Sequence, residues 1–201
     1  SSGRMGDLIN DLLNSSRLSA DNLFQSVELS EIINEILNDL EFQVMEKNGF
    51  ITVGPMPTIE AIPGQMRQVF QNLISNSLKF SKDGMQAQIT IEAERVNDKS
   101  TTSPASVDGE YCRITVQDNG IGFSQKYADK IFTIFQRLNA RETYEGTGIG
   151  LAIAKKIIDK HSGLIEASGK ENEGSTFTIV LPLQQQHTSH NHTSTFYEEH
   201  I

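Results

Sequence analysis

Val116-Gln-Asp-Asn-Gly-Ile-Gly-Phe123 begins as a strand and ends in a turn that contains two glycines. From Tyr111 to Asp118 apolar and polar residues alternate, which puts Asp118 on the apolar, inward face of the strand. A buried carboxylate without a partner is energetically costly, so either the protein or a ligand must pair with it. The alternative, an Asn-Gly hairpin turn, requires a return strand after Gly120, and the residues that follow lack strand alternation. The pattern therefore favours a ligand-facing Asp118 beside glycines that permit close backbone approach.

Composition narrows the classes of protein to which the chain can belong. It has 201 residues, enough for one domain of about 150 residues with appendages. The net charge of −9 and the lack of a basic run argue against a nucleic-acid partner. The single cysteine, Cys112, excludes an internal disulfide and is expected in the core. No apolar run approaches about 18 residues, so no membrane span or membrane contact is predicted. The Ser1-Ser-Gly-Arg start is typical of a fragment of a longer protein.

The first part of the chain is predicted to contain helices and short strands. Met5 to Leu18 carries a narrow apolar stripe at helical spacing. Such a stripe fits either a helix packed on the main domain or the truncated end of a dimerising helix. Phe24 to Leu29 is predicted as a linking strand, and a helix capped by Ser30 is expected to run to about Lys47. Phe50 to Val53 should form a short strand followed by a Gly-Pro-Met-Pro loop.

A longer helix that starts at Pro63 has an unusual polar side. On a helical wheel Asn72, Asn76 and Lys79 fall within about 60° of one another, opposite a broad apolar arc that also includes Ser77. A solvated polar face is the commoner explanation of such a stripe. Asparagine is, however, a poor residue for the middle of a helix, and two of them one turn apart are costly unless they are used. Because amide oxygens bind hard metals and lysine suits phosphate, a metal–phosphate face is the second interpretation, and the helix alone leaves both open.

The second part of the chain is predicted to supply most of the sheet. Gln86 to Val96 and Tyr111 to Asp118 should be strands joined by a polar, mobile loop over residues 97–109. A short helix is expected around Gln125 to Lys130. Two further strands, at 163–167 and 175–183, are expected to close the domain as a hairpin.

One region near the end of the chain is suited to binding an anion. A helix is predicted from Thr147 to His161, and its glycine-rich N-terminus would expose backbone N–H groups and the positive end of the helix dipole. His161 is expected to cap the other end of this helix. The polar segment from Arg137 to Gly146 lacks periodicity and is typical of a mobile lid over a site. Gly-Thr-Gly-Ile-Gly is neither a Walker A motif nor a dinucleotide fingerprint, so alone it is weak evidence.

The order of these motifs, more than any one of them, resembles a known family. In chain order they are Asn72…Asn76-x-x-Lys79-Phe80, Asp118-x-Gly120-x-Gly122, Phe132-x-x-Phe135, Gly146-Thr-Gly-Ile-Gly-Leu151 and Gly174-Ser-Thr-Phe177. From about residue 26 to residue 183 the chain is similar to the catalytic ATP-binding domain of sensor histidine kinases. Those domains have the Bergerat fold, which gyrase, MutL-type repair proteins and large heat-shock chaperones share. Residues 143–158 resemble the kinases in particular.

The resemblance implies an α+β fold, a two-layer α/β sandwich in which a mixed sheet of about five strands carries three helices on one face, preceded by a short helix. Residues 1–25 would be the C-terminal remnant of the dimerisation and phosphotransfer helix. Residues 26–183 would be the catalytic domain, and 184–201 a polar disordered tail or linker. The resemblance also implies a protein-histidine kinase of a two-component system, located in the cytoplasm although its parent protein could be anchored in a membrane.

Carried over position by position, the resemblance implies a site for ATP and Mg²⁺. Asp118 would accept a hydrogen bond from the adenine amine, Phe80 would cover the base, and Thr176 would lie on the adenine side. Asn76, with Asn72 nearby, would hold Mg²⁺ against the phosphates.

The same comparison implies catalytic roles for Asn76, Lys79 and Arg137. Lys79 would contact phosphate, and Arg137 would reach the γ-phosphate from the base of the lid. Other residues would let the backbone approach the base, form the hinge of the lid or direct amides at phosphate: Gly120, Gly122, Gly146, Thr147, Gly148, Ile149, Gly150 and Leu151.

The sequence departs from the family pattern because no histidine precedes His161. The phosphoacceptor histidine would therefore lie on a missing dimerisation helix, in the same protomer or in the partner of a homodimer, although this fragment alone could be a monomer. A response-regulator receiver domain would take the phosphoryl group downstream. Two alternatives are a nonenzymatic nucleotide-binding or interaction module and a gyrase- or MutL-type ATP-hydrolysing clamp. The clamp needs a carboxylate base on the asparagine-bearing helix, and the candidate positions hold none: Gln68, Gln71, Asn72 and Ser75.

Overall fold

Seven strands and four α-helices follow one another in the computed structural model, which describes residues 23–134 and 148–185. In chain order they are β1 (Gln25–Glu28), α1 (Leu29–Asp39), α2 (Glu41–Glu46), β2 (Phe50–Val53), β3 (Thr58–Ala61), α3 (Pro63–Lys79), β4 (Gln88–Val96), β5 (Tyr111–Asp118), α4 (Gly150–Lys160), β6 (Leu164–Lys170) and β7 (Gly174–Pro182). Two 3₁₀ helices, Gln125–Tyr127 and Lys130–Phe132, take the place of the single helix that the sequence predicts there. The Met5 to Leu18 helix, the predicted lid and the predicted tail beyond Gln185 lie outside the described residues.

The main sheet has five strands in the order β2-β4-β5-β7-β6. β2 runs parallel to β4, and every other neighbouring pair is antiparallel, so the sheet is mixed. β5 lies at its centre, and its last residue, Asp118, is in register with Ser175 at the start of β7. The predicted mixed sheet of about five strands is confirmed, as are the strand that ends at Asp118 and the closing hairpin.

One face of the sheet and the three longer helices, α1, α3 and α4, enclose the core. The inward residues of β5, namely Cys112, Ile114 and Val116, are fully buried, as their alternation predicts. The helices bury apolar stripes in the same cluster, among them Leu29, Ile33 and Ile36 from α1, Val69, Phe70, Leu73 and Ile74 from α3, and Ala154 and Ile158 from α4. Because full burial of each large apolar side chain contributes about 1.5–3 kcal/mol, these stripes hold the helices on the sheet. The predicted α+β sandwich is confirmed.

Cys112 behaves as a core residue rather than as a reactive thiol. Its side chain is fully buried at the centre of the sheet. Burial raises the pKa of the Cys112 thiol to about 12, which keeps it protonated near neutral pH. Since the thiolate is the nucleophilic form, the only cysteine of the sequence is not a candidate nucleophile.

The helix predicted from the Ser30 cap to about Lys47 differs from the structure at its start and in its length. α1 begins at Leu29, and Ser30 lies in its first turn instead of capping it. The earlier start puts the fully buried Leu29 in line with the other apolar residues of the helix. The helix breaks at Leu40, and the short α2 that follows buries none of its residues. Apolar contact with the core nevertheless continues past the break, through the buried Leu40 and the partly buried Val44.

β3 is a strand that the sequence analysis missed. It pairs antiparallel with β1 to form a separate two-stranded sheet, with Ile59 and Ala61 buried. Only four residues alternate, and they follow the Gly-Pro-Met-Pro stretch that is typical of a loop. The strand is stabilised by its partner from elsewhere in the chain, which no local pattern reveals.

The polar loop at residues 97–109 is fastened to the sheet, in contrast to the mobile insertion that its composition predicts. Ala105 forms an isolated bridge with Val96, and Val96 is fully buried. The Arg113 guanidinium donates to the carbonyl oxygens of Thr101 and Ser103. These contacts hold the loop against the face of the sheet that lies opposite the helices.

His161 is a buried, neutral link between elements of the fold. It ends α4, where Nδ1 donates to the carbonyl oxygen of Ile157 at 2.8 Å, so the predicted capping is confirmed. Its Nε2 accepts the backbone N–H of Ile62 at 3.1 Å, just before α3. The Phe24 ring contacts it edge-on at 5.0 Å between ring centroids. A proton on Nε2 would break the bond to Ile62, so only the neutral ring fits this place.

The free energy of unfolding is expected to fall as the pH is lowered through the range in which His161 titrates. Burial lowers the pKa of His161 from its ordinary value of 6.5, so the unfolded chain takes up a proton before the folded chain does. The neutral ring therefore stabilises the fold above pH 6.5, and this contribution is lost as the pH falls from 6.5 toward the lower folded pKa. Urea unfolding from about pH 7.5 to about pH 5.5 should show the loss, at most about 1.4 kcal/mol per pH unit for one proton. His161→Gln should be less stable at neutral pH and show a shallower pH dependence; an unchanged slope would contradict the assignment.

Candidate functional site

Asp118 lies at the end of β5 with its carboxylate turned inward, 7% exposed, and surrounded by donors. Its Oδ1 accepts the backbone N–H groups of Gly120 at 2.9 Å and Ser175 at 3.2 Å. Its Oδ2 accepts the hydroxyl groups of Ser175 at 2.6 Å and Ser77 at 3.2 Å. The inward direction is as predicted, but the protein supplies partners of its own. A ligand at this carboxylate must therefore share or displace one of these four donors.

The glycines after Asp118 let the turn approach other backbone segments of the protein. Gly122 has a φ of +62°, and a Cβ there would lie 2.0 Å from the carbonyl oxygen of Lys170. A Cβ on Gly120 would lie 2.5 Å from the carbonyl oxygen of Phe80. The N–H of Ile121 donates to that same oxygen at 2.9 Å. These glycines thus join the turn to the end of α3 and to the β6–β7 hairpin, and the close approach that the sequence predicts is to protein backbone.

The polar side of α3 faces the start of α4. Asn72 donates through Nδ2 to the carbonyl oxygen of Gly150 at 3.0 Å, which ties the two helices together. Asn76 lies one turn further along, half-buried. The ammonium group of Lys79 lies 4.8 Å from the centroid of the Phe80 ring. The NH₂ group of Asn72 is therefore engaged in holding α4 against α3.

α4 begins at Gly150, three residues later than the Thr147 start that the sequence predicts. Gly148, just before it, has a φ of +72°. A Cβ on Gly150 would lie 3.1 Å from Oδ1 of Asn72, so the helix start sits directly against α3. The first N–H groups of α4, at Gly150 and Leu151, therefore lie beside the polar side of α3, where they can receive an anion.

Ser175, one residue before the predicted Thr176, is the residue of β7 that contacts Asp118. In β7, Ser175 is in register with Asp118, whereas Thr176 is in register with Gln117. Since successive side chains of a strand point to opposite faces, Thr176 lies on the face away from Asp118. The prediction is wrong by one residue because the register of the hairpin cannot be counted from the glycine motif alone.

Ser77 is the second residue that the sequence analysis missed. It lies on the apolar arc of α3, is buried, and reaches Asp118 from the helix. A polar residue on an otherwise apolar arc is the signal that could have identified it, because a buried hydroxyl needs a partner. Arg137, Gly146 and Thr147, which the resemblance places in the site, lie outside the described residues.

These features define a class of protein. The carboxylate of Asp118 lies at the end of the central strand, and the neighbouring helix α3 carries the amide of Asn76 and the ammonium group of Lys79. The N-terminus of α4 lies against α3, through the hydrogen bond from Asn72 to Gly150. These features are typical of a nucleotide-binding α+β domain.

Comparison with known proteins also indicates a nucleotide-binding domain, and it identifies the family. Residues 61–185 match the family described as histidine kinase-, DNA gyrase B-, and HSP90-like ATPase. Cyanobacterial phytochrome A of Nostoc sp. is 39% identical over 180 residues, which are 89% of this chain and 22% of that protein. Sensor protein kinase WalK of Staphylococcus saprophyticus is 33% identical over 188 residues, which are 90% of this chain and 29% of that protein.

A solved structure supports the same conclusion. The catalytic domain of histidine kinase ThkA has a TM-score of 0.64 and 26% identity, over 81% of this chain and 99% of that one. The chain belongs to the histidine kinase-, DNA gyrase B- and HSP90-like ATPase family, as the catalytic ATP-binding domain of a sensor histidine kinase. It spans 22–29% of the length of the two curated relatives named above. Over residues 23–134 and 148–185, no helix is long and apolar enough to cross a membrane.

Proposed function

We propose that this domain binds ATP with Mg²⁺ between α3, the end of β5 and the start of α4, and directs the γ-phosphoryl group to a histidine outside this chain. The observation that carries the proposal is that α3 contacts both the buried Asp118, through Ser77, and the N-terminus of α4, through Asn72. A base can be recognised at one end of this surface and phosphates at the other. ATP supplies the phosphoryl group; the residues of this chain bind it, orient it and offset its charge.

Each residue has a proposed role that family resemblance supplies. Asp118 accepts a hydrogen bond from the exocyclic amine of adenine, and Phe80, at the end of α3, covers the base. Lys79 and the N–H groups at the start of α4 offset the charge of the phosphates. Arg137 is assigned to the γ-phosphate by family resemblance, as are Gly146 and Thr147 to the lid, and these roles stay predictions.

The metal ligands that this chain offers are suited to a Mg²⁺ ion that is also bound by the phosphates of ATP. Among the described residues, no group of three or more His, Cys, Asp or Glu side chains could hold a metal ion. The amide oxygen of Asn76 is a suitable ligand for a hard cation that keeps waters and phosphate oxygens as its other ligands. Because the chain has a net charge of −9, cations beside the triphosphate are required to offset electrostatic repulsion.

Transfer to histidine requires little chemical assistance from this domain. An imidazole nitrogen is already a nucleophile, so positioning and electrostatic stabilisation are the main contributions asked of Asn76, Lys79 and Arg137. The sequence has no histidine before His161, and His161 is buried with both ring nitrogens engaged. Family resemblance assigns the acceptor to a dimerisation helix N-terminal to this chain, in a homodimeric parent protein. A response-regulator receiver domain would take the phosphoryl group next, in the cytoplasm.

Asn76→Ala is expected to remove the effect of Mg²⁺ on nucleotide binding. Wild-type protein should gain thermal stability with ATP and gain more with ATP and Mg²⁺, because a ligand that binds the folded state raises the melting temperature. The variant should keep the first gain and lose the second, since only the metal ligand is missing. Asn38→Ala, an exposed change on α1, is the matched control.

A second measurement distinguishes transfer from binding alone. Labelled ATP, Mg²⁺ and separately supplied dimerisation helices carrying a histidine should yield phosphohistidine with wild-type protein. Binding without transfer would favour the nonenzymatic module, and rapid ATP turnover by this chain alone would favour the hydrolysing clamp. If neither ATP nor ATP with Mg²⁺ raises the melting temperature of wild-type protein, the proposal fails.

A further inference from the structure

The carboxylate of Asp118 has little capacity left for a ligand. An ionised carboxylate offers about four acceptor positions. In the structure two backbone N–H groups occupy Oδ1, and two hydroxyl groups occupy Oδ2. An adenine amine is a further donor, so it can bind Asp118 only by sharing a position or by displacing one of these partners.

The hydroxyl of Ser77 is the donor that is easiest to displace. The two backbone N–H groups, from Gly120 and Ser175, are fixed by the turn and the strand that carry them. The Ser175 hydroxyl is close, at 2.6 Å, and comes from the residue in register with Asp118. The Ser77 hydroxyl reaches Oδ2 from α3 at 3.2 Å, the longer of the two hydroxyl contacts. A hydroxyl can also rotate away without any movement of the backbone.

We propose that Ser77 is a specificity-determining residue whose hydroxyl competes with the exocyclic amine of an adenine nucleotide for Oδ2 of Asp118. The inference rests on the proposed function, in which Asp118 accepts that amine. In the free protein Ser77 satisfies the buried carboxylate. When an adenine nucleotide binds, its amine replaces a hydrogen bond that already exists, so the net gain from recognising the base is reduced.

Competition of this kind depends on the base. Hypoxanthine carries a carbonyl oxygen where adenine carries the amine, so at that position it has no donor for a carboxylate; its ring N1–H lies at the neighbouring position. An inosine nucleotide bound in the same pose as an adenine nucleotide therefore leaves the Ser77 hydroxyl in place. Removing that hydroxyl should strengthen binding of ADP and leave binding of IDP almost unchanged, which no general loosening of the pocket would produce.

Calorimetry tests this inference by measuring the dissociation constants of ADP and IDP for wild-type protein, Ser77→Ala and a matched control. Ser77→Ala should bind ADP about 5- to 20-fold more tightly than wild type, and IDP within about twofold. Without nucleotide the variant should melt at a lower temperature, because its carboxylate has lost a partner. The control is Ser75→Ala, whose hydroxyl donates to the backbone of Asn72 on the same helix and should leave the ADP-to-IDP ratio unchanged.

Unchanged or weaker ADP binding by Ser77→Ala, or equal gains for ADP and IDP, would overturn the inference. Ser77→Cys retains nearly the same volume with a weaker donor, so it should shift the same ratio in the same direction, and it decides the question if Ser77→Ala fails to fold. Wild-type protein that binds neither nucleotide refutes the proposed function together with this inference. Wild-type protein that binds ADP without any gain in the Ser77 variants refutes the inference alone.

Discussion

Asp118→Asn is expected to weaken binding of ADP and ATP by about 10- to 150-fold, the range that corresponds to one hydrogen bond to a buried charged group. The asparagine side chain keeps one acceptor oxygen, but its other position becomes an NH₂ donor. All four groups that now contact the carboxylate are donors, so that NH₂ would face N–H or O–H groups in place of an acceptor. The adenine amine would lose its acceptor for the same reason.

Calorimetry with ADP measures this effect without any contribution from the transfer step. Asp159→Asn, an exposed change on α4 that removes only a pairing with Lys155, should bind ADP like wild type. Circular dichroism at the same temperature establishes that the Asp118 variant is folded under the conditions of the titration. If the folded variant binds ADP normally and loses only phosphoryl transfer, Asp118 acts at the phosphates and its assignment to the base is incorrect.

Much of the fold follows from patterns that a single segment carries by itself. The alternation that ends at Asp118 predicts the central strand and its inward face, and the apolar stripe of α3 predicts the helix that covers it. β3 is different, because it depends on what the segment meets in the folded chain. Four residues can form a strand when a partner strand is present.

The site likewise contains some residues that a single segment reveals and others that only the folded chain brings together. Asn72, Asn76, Lys79 and Asp118 can be identified because each stands out against the periodicity of its own element. The structural contact of Asn72 could not be predicted, since its hydrogen bond to Gly150 joins two helices that are far apart in the sequence. The motif alone predicts Thr176 and not Ser175, because pairing across the hairpin decides which residue faces the carboxylate. Motif order thus finds the segments of a site, whereas strand register and helix contacts select the side chains.

Gly122→Ala should destabilise the domain by about 3–5 kcal/mol, the sum of an unfavourable backbone conformation and an overlap that cannot relax locally. Gly122 has a φ of +62°, and a Cβ there would lie 2.0 Å from the carbonyl oxygen of Lys170 and 2.7 Å from that of Gly174. Both oxygens belong to the backbone of the β6–β7 hairpin, so no side-chain rotation can make room. The turn and the hairpin must separate, and with them the contact between Asp118 and Ser175. Urea unfolding should therefore show a large loss, and calorimetry should show weaker ADP binding by whatever folded protein remains.

Gly84→Ala separates the two causes of this loss. Gly84 has a φ of +72°, close to that of Gly122, but a Cβ there would meet nothing within 4 Å. The control thus carries the conformational strain without the overlap and should cost only about 1–2 kcal/mol, with ADP affinity unchanged. Equal losses in the two variants would mean that backbone conformation accounts for the whole effect and that the contact with the hairpin can relax. A much larger loss at Gly122, accompanied by weaker ADP binding, would establish that the second glycine of Asp118-x-Gly120-x-Gly122 serves the site by holding the hairpin that carries Ser175 against Asp118.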